Sequence, residues 1–422
     1  MHPAANTYRL LVSLVLTAFC SLNIGTKGVA GDWPQILGPN RNGAAVDEKP
    51  LEAWPASGPK VNWSFPIGTG YAGPVVVGDQ VIVFHRVGDI ERVESIDIVK
   101  GKSVWKTDYV ATYSGGFNPD TGPRCVPLVS GGRIFVFGAA GDLHALKLTD
   151  GKKIWSRDTG KDYPNPGSYF GSGSAPIVAG KNLLLNVGGR QAGIVAFDLE
   201  TGTTVWKKTD ERASYSSPTK TVVEGQEQVI FVTRMNTMAV DPKTGEELFL
   251  FPFGARGATV NAATPLVFDN HLFVSSSYGV GGHLARLTKN SATKIWANDN
   301  SMSSQYTTCV HKGGFLYGTH GREDMGIGEL RCIEAKTGTV KWAAPGFGVA
   351  HTILVGDHLL MLTNKGHLAL VAASPSQYKL LASAQLTPNS TRAMPAFAQG
   401  RLVFRDNDNS GGTLKCLTLV KQ

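Results

Sequence analysis

The chain has 422 residues, of which 18% are charged, 42% are hydrophobic and 50 are glycine. That balance is too apolar for a disordered chain, and the glycine content suits many short strands joined by tight turns. The formal charge of +8 is scattered, with no dense Lys/Arg run, so it gives no footprint for nucleic acid.

Residues 1–30 read as a secretory signal. Arg9 supplies a positive n-region, Leu10 to Phe19 an apolar core, and Gly28-Val29-Ala30 the small residues for cleavage before Gly31. The apolar run is about half the ~20 residues that span a bilayer. Cys20 raises lipid attachment, but Phe19 stands where lipoprotein signals carry a small residue. The expectation is therefore an exported protein, periplasmic or extracellular, without a lipid anchor at Cys20. No later segment is apolar enough for a transmembrane span. Residues 31–60 read as an N-terminal lead-in and 61–422 as one repeating domain.

The repeat is legible in two columns. Ser95 to Trp105 returns as Ala145 to Trp155, Ala196 to Trp206, Ala239 to Phe249 and Cys332 to Trp342. In these five copies a glycine follows the small residue by six positions (Gly101, Gly151, Gly202, Gly245, Gly338), and an aromatic follows four later. A copy at Ala285 to Trp296 has one extra residue and no glycine, and one at Ala369 has lost both glycine and aromatic. One small residue per unit (Ser95, Ala145, Ala196, Ala239, Ala285, Cys332, Ala369, Cys416) leaves room for close packing. The glycine takes the positive φ of a strand–turn–strand connection.

The second column marks unit starts: Pro74, Pro127, Pro176, Pro218, Pro265, Val310, Thr352 and Pro395. Their mean spacing is about 46 residues, the length of a four-stranded propeller blade. The last unit ends at Gln422 after three strands, whereas Val61 to Phe65 is a Trp63-bearing strand without a unit. Pairing the two predicts an all-β, eight-bladed β-propeller closed by its own N-terminal strand, which leaves no open edge.

These units resemble the pyrroloquinoline-quinone (PQQ) repeat family, most clearly at Asp198-Leu-Glu-Thr-Gly-Thr-Thr-Val-Trp206 and Glu334-Ala-Lys-Thr-Gly-Thr-Val-Lys-Trp342. The lead-in Asp32-Trp-Pro-Gln-Ile-Leu-Gly-Pro-Asn-Arg-Asn-Gly43 is similar to that of exported PQQ-like propellers of planctomycete type. The resemblance implies the propeller fold. It leaves the activity open, because the family includes quinoprotein dehydrogenases as well as non-enzymatic outer-membrane assembly proteins of the BamB type.

The enzymatic branch implies PQQ, calcium held by oxygen ligands and an Asp base. The chain has no adjacent Cys-Cys pair and no copy of the Asp-bearing catalytic segment. Its nearest echo, Tyr163-Pro-Asn165-Pro-Gly-Ser168, reads as a turn. His320 to Gly326 and Asp406 to Gly412 read as polar hairpins; neither has calcium-loop spacing. The histidines form no zinc pattern. Cys332 and Cys416 fall in the packing column. Cys125 and Cys309 sit beside unit starts in non-adjacent blades, which disfavours a disulfide but leaves free thiols or a pair open.

Residues just ahead of each first strand are expected at the mouth of the central channel: Tyr71, Arg124, Ser172, Tyr215, Asn261, Tyr306, His351 and Arg392. The two arginines suit a carboxylate or other anion. The reading is a monomeric, non-catalytic binding or scaffold propeller that engages a protein segment or small ligand there, with no catalytic residue or metal ligand assigned. The alternatives are a PQQ- and calcium-dependent alcohol or polyol dehydrogenase and a sensor module of a signalling system.

Overall fold

The turn at 198–202 shows how each unit folds. The Asp198 carboxylate accepts the N–H groups of Glu200 and Thr201 at 3.0 and 2.9 Å, and Gly202 donates back to the Asp198 carbonyl at 2.9 Å. Gly202 adopts φ +70°, which an L side chain rarely takes. Asp97 and Asp241 cap the equivalent turns in the same way. Each acid-to-glycine segment is thus a local device that reverses the chain between a unit's third and fourth strands.

The computed structural model describes residues 31–49, 51–117, 119–164, 169–257, 259–408 and 411–420. The expected signal segment 1–30, with Cys20, lies outside them, as does Asn165 to Ser168. Eight antiparallel four-stranded sheets form the ring of an eight-bladed propeller. Blade 1 comprises Val75–Val77, Gln80–Val87, Ile90–Asp97 and Ser103–Val110. Blade 8 comprises Ala396–Ala398, Arg401–Asn407, Gly412–Thr418 and the N-terminal strand Val61–Ile67, with Trp63 opposite Cys416.

Burial explains the strand patterns. The second and third strands are covered on both faces by neighbouring blades. Ile82, Phe84 and Val93 of blade 1, for example, pack with Ile134, Val136 and Leu146 of blade 2. These strands therefore read as continuous apolar runs. The outer strand Ser103–Val110 alternates half-buried and exposed residues, and its lysine and aspartate discourage edge pairing.

The aromatic column clasps blade to blade. Trp63 Nε1 donates to the Ile98 carbonyl at 2.7 Å, Trp155 to Leu199 at 3.0 Å and Trp206 to Pro242 at 3.1 Å, each reaching the turn of the next blade. A Cβ on Gly101 would stand 2.5 Å from Trp63, and one on Gly202 would stand 2.6 Å from Trp155. The turn glycine is thus fixed twice, by its φ and by the indole lying on it. Trp63 of blade 8 docks on blade 1 and closes the ring with this same contact.

Blade 5 corrects one element of the repeat. Trp296 stands opposite Leu284, not Ala285, which pairs with Lys294. Phe273 pairs with Leu284 as Ile82 pairs with Ser95 in blade 1, so the register of the second and third strands places the larger leucine in the packing column, and the longer turn after Leu287 brings Trp296 opposite it. The preceding blade carries Phe249, with no indole N–H to donate, and blade 5 has no turn glycine to receive one.

The lead-in enters the channel from the end formed by the hairpins between first and second strands. Asp32 accepts from Gly78 N at 2.9 Å, and Glu48 takes the N–H groups of Gln399 and Gly400. Trp33 exchanges backbone hydrogen bonds with Val76, Val129 N donates to the Pro34 carbonyl, and Leu354 N donates to the Gly43 carbonyl. Leu37, Gly38, Arg41 and Gly43 all have positive φ, which folds the segment into a tight plug. A Cβ on Gly38 would sit 2.8 Å from the Trp33 ring. Arg41 is buried and ties the plug to blades 3 and 4, donating to Pro218 O at 2.8 Å, to Pro176 O and to Gln35 Oε1 at 2.7 Å.

Candidate functional site

Because blade strands alternate in direction, the loops that lead into each first strand share one end with the hairpins between second and third strands. This is the open end of the channel, opposite the plug. Arg41 reaches the unit-start prolines Pro176 and Pro218, so its guanidinium closes the floor below that end. Burial pulls its pKa down to about 9, and it remains cationic at neutral pH.

Four of the eight predicted mouth residues form a continuous stack. The Arg124 guanidinium lies 5.9 Å from the Tyr71 ring centroid. Arg392 lies 5.6 Å from Tyr71 and 4.7 Å from Tyr306. Such cation–π contacts hold arginine heads in place without neutralising them. Tyr113, absent from the predicted set, adds a second face to Arg124 at 5.3 Å.

The two arginines differ in what remains available. Arg124 is nearly buried, donates to the carbonyls of Asp120 and Gly122 and lies 3.8 Å from the Asp120 carboxylate. Its role is to hold that loop. Arg392 is partly exposed and lies 3.7 Å from Glu323. Burial, and then the Glu323 charge, hold the Tyr306 phenol well above its ordinary pKa.

The other four predicted residues serve the backbone or stand apart. Asn261 is buried, and its Nδ2 donates to the Thr233 and Phe253 carbonyls at 2.9 and 3.1 Å. His351 is buried with Nε2 at 2.8 Å from the Arg392 carbonyl, so that nitrogen carries the proton. Burial lowers the His351 pKa to about 4, which keeps it neutral. Ser172 is tied to blade 2 through its N–H to the Ala139 carbonyl at 2.8 Å. Tyr215 receives the Phe170 N–H on its hydroxyl at 2.7 Å and faces a separate cleft.

That cleft has a volume of about 960 Å³ and was not legible as a motif. Its lining includes Phe117, Tyr169, Arg212, Tyr215, Arg234 and Arg256. A weak signal was present: the three arginines are each 22 residues apart in the sequence. That is about half a blade, the length of two strands and their turns, after which the chain returns to the same end.

A calcium-bound quinone requires a particular donor set. Hard cations want several oxygens converging on one point. Here Glu323 lies beside Arg392, and Asp120 receives Gly70 N and Gly122 N at 3.0 and 2.8 Å. Asp406 is bound by Thr387 and Lys415, both at 2.7 Å. Among the described residues no three His, Cys, Asp or Glu side chains are grouped to hold a metal ion. Most of these carboxylate oxygens meet cations, a hydroxyl or backbone N–H groups of the chain itself, and the two buried without a hydrogen bond, Glu323 Oε2 and Asp406 Oδ1, belong to different blades, so the residues do not fit a calcium–PQQ centre.

Asp406 and Gly412 lie in the two strands of the last hairpin, and His320 to Gly326 closes another. All four cysteines among the described residues are buried and unbonded, Cys125 and Cys309 included. Burial pushes both of those thiols up to about 12, which makes them poor nucleophiles. Among the described residues no helix is long and apolar enough to cross a membrane.

Comparison with known proteins places the architecture. The chain is 31% identical over 147 residues to the outer membrane protein assembly factor BamB of Burkholderia pseudomallei, covering 34% of this chain and 32% of that one. It is 27% identical over 239 residues to a quinoprotein ethanol dehydrogenase of Pseudomonas aeruginosa, covering 51% and 34%. The chain thus spans about a third of the length of these curated relatives. A europium-containing methanol dehydrogenase superposes with a TM-score of 0.70 at 13% identity, over 93% of this chain and 98% of that one, a likeness of fold alone. The family model described as outer membrane protein assembly factor BamB matches residues 89–344, and with its PQQ-type repeats the chain belongs to that family.

Proposed function

We propose that the protein is a non-catalytic, exported binding scaffold whose open channel end engages a protein segment or small ligand. The observation that carries this reading is the chemistry of the mouth. Arginines stacked on tyrosines present positive charge, and among the carboxylates nearby Asp120 is held by backbone N–H groups of Gly70 and Gly122. Such a surface recognises anionic groups, and the described residues offer no cluster of carboxylates of the kind that holds a calcium–quinone pair. The assembly-factor relatives favour a scaffold, and the quinoprotein relatives favour the rival enzyme.

Titration of purified protein with PQQ and calcium tests the reading. No saturable PQQ absorbance change and no dye-linked oxidation of alcohols or polyols is the expected result, and turnover would overturn it. Export is tested separately: the N-terminus of protein recovered outside the cytoplasm should be Gly31.

A further inference from the structure

The cleft beside the mouth has its own chemistry. Arg212 and Arg256 are exposed, and neither makes an ion pair or side-chain hydrogen bond among the described residues. Arg234 is fixed between them: its Nη1 donates to the Ala255 carbonyl at 2.8 Å and its Nη2 to the Gly257 carbonyl at 2.7 Å. The backbone brings them together, since Arg234 N donates to the Arg212 carbonyl at 3.0 Å.

The carboxylate that could offset them is already occupied. Glu211 accepts from Asn236 Nδ2 at 2.8 Å and from the Thr233 hydroxyl at 2.5 Å. Three guanidinium groups therefore share one wall, and no acidic residue is among the described residues of the lining. Their mutual repulsion is a standing cost that an anionic occupant would relieve.

The opposite wall is aromatic. Phe117 is 74% exposed, and its ring meets Tyr169 edge-on at 5.4 Å. Phe170 continues the row to Tyr215 at 5.7 Å. The Tyr169 hydroxyl donates to the Gly257 carbonyl at 3.2 Å and so bridges the two walls. An apolar ring left this exposed beside fixed aromatics is a docking surface for another apolar side chain.

We propose that this cleft is a docking groove for an extended acidic protein segment that carries an aromatic side chain. The carboxylates pair with Arg212, Arg234 and Arg256, and the aromatic ring stacks among Phe117, Tyr169 and Tyr215. A peptide suits the cleft better than a small anion because its lining comes from loops of several successive blades. This inference rests on reading the open end as the binding face, and it names the partner's chemistry.

The test is fluorescence anisotropy with a labelled heptapeptide that has a central phenylalanine and two aspartates on each side. Saturable binding is expected that weakens about tenfold or more in the Arg212→Ala/Arg256→Ala double variant. Phe117→Ala should weaken binding severalfold, and asparagines in place of the aspartates should abolish it. Arg133→Ala, in the hairpin between the first two strands of blade 2 at the opposite end of the channel, should leave it unchanged. Absence of saturable binding, or equal binding by the double variant, overturns the proposal. Inorganic phosphate or phenylpropanoate competing at the same concentrations as the peptide also overturns it, because the site would then take small anions. These outcomes are independent of the PQQ titration, so failure of the groove and failure of the scaffold reading are distinguishable.

Discussion

At one end of the channel a single continuous segment, Trp33 to Gly43, supplies the side chains, the positive-φ backbone and the buried guanidinium that close it. At the other end the surface is assembled from loops of many blades, with Tyr71, Arg124, Tyr306 and Arg392 drawn from positions far apart in the chain. The plug buries its one guanidinium and gives it partners: Arg41 meets two carbonyls and Gln35. The open end leaves Arg212, Arg256 and Phe117 exposed. One end is thus optimised for stability and the other retains unsatisfied charge and apolar surface, as expected of a face that meets something else.

Four substitutions probe this contrast. Trp33→Ala, at the plug, should cost the most, about 3–5 kcal/mol, since it removes a buried indole against which Gly38 packs; chemical denaturation reads it as a lowered midpoint. Arg41→Met should cost about 2–3 kcal/mol by leaving the Pro176 and Pro218 carbonyls buried without their donor. Equal stability of this variant and the wild type would show that the plug is not held by its guanidinium.

Glu91 lies within the open half, between blades 1 and 2, and accepts the Ala139 N–H at 3.1 Å. Burial raises its pKa to about 7. Between the ordinary value of 4.5 and 7 the folded chain keeps a proton that the unfolded chain has released, so stability should fall as pH rises through that window. Glu91→Gln should flatten the decline and raise stability at pH 8 by about 1–2 kcal/mol. A pH series of denaturation midpoints on both proteins checks it. Arg392→Ala should cost about 0.5 kcal/mol or less, because its contacts are two partly exposed cation–π contacts and a long ion pair. A large loss of stability there would make the mouth structural and erase the contrast between the two ends.

Much of the molecule was legible in sequence because its repeat is enforced locally. The Asp-to-Gly turn and the following tryptophan are set by turn chemistry and by the φ that glycine allows, so eight units could be counted and the lone Trp63 strand assigned to the last blade. The register of blade 5 was not legible: one extra turn residue gives Leu284 or Ala285 as the partner of Trp296, and only packing chooses. The lead-in could be recognised as a motif, but nothing in its residues places the Arg41 guanidinium on the Pro176 and Pro218 carbonyls.

The candidate site was less legible for the same reason. Tyr71, Arg124, Tyr306 and Arg392, each picked out by its position ahead of a unit start, stack together in the structure, but that position says nothing of what they bind. It could not separate them from Asn261 and His351, whose side chains face backbone carbonyls. The cleft of Arg212, Arg234 and Arg256 lay in the sequence as an even spacing without a motif. The sequence by itself determined the fold, because each turn and clasp is decided within a few residues or between equivalent positions of the repeat. Only the tertiary structure decided which charges are already paired and which remain available, because pairing depends on side chains that the ring brings together from different blades.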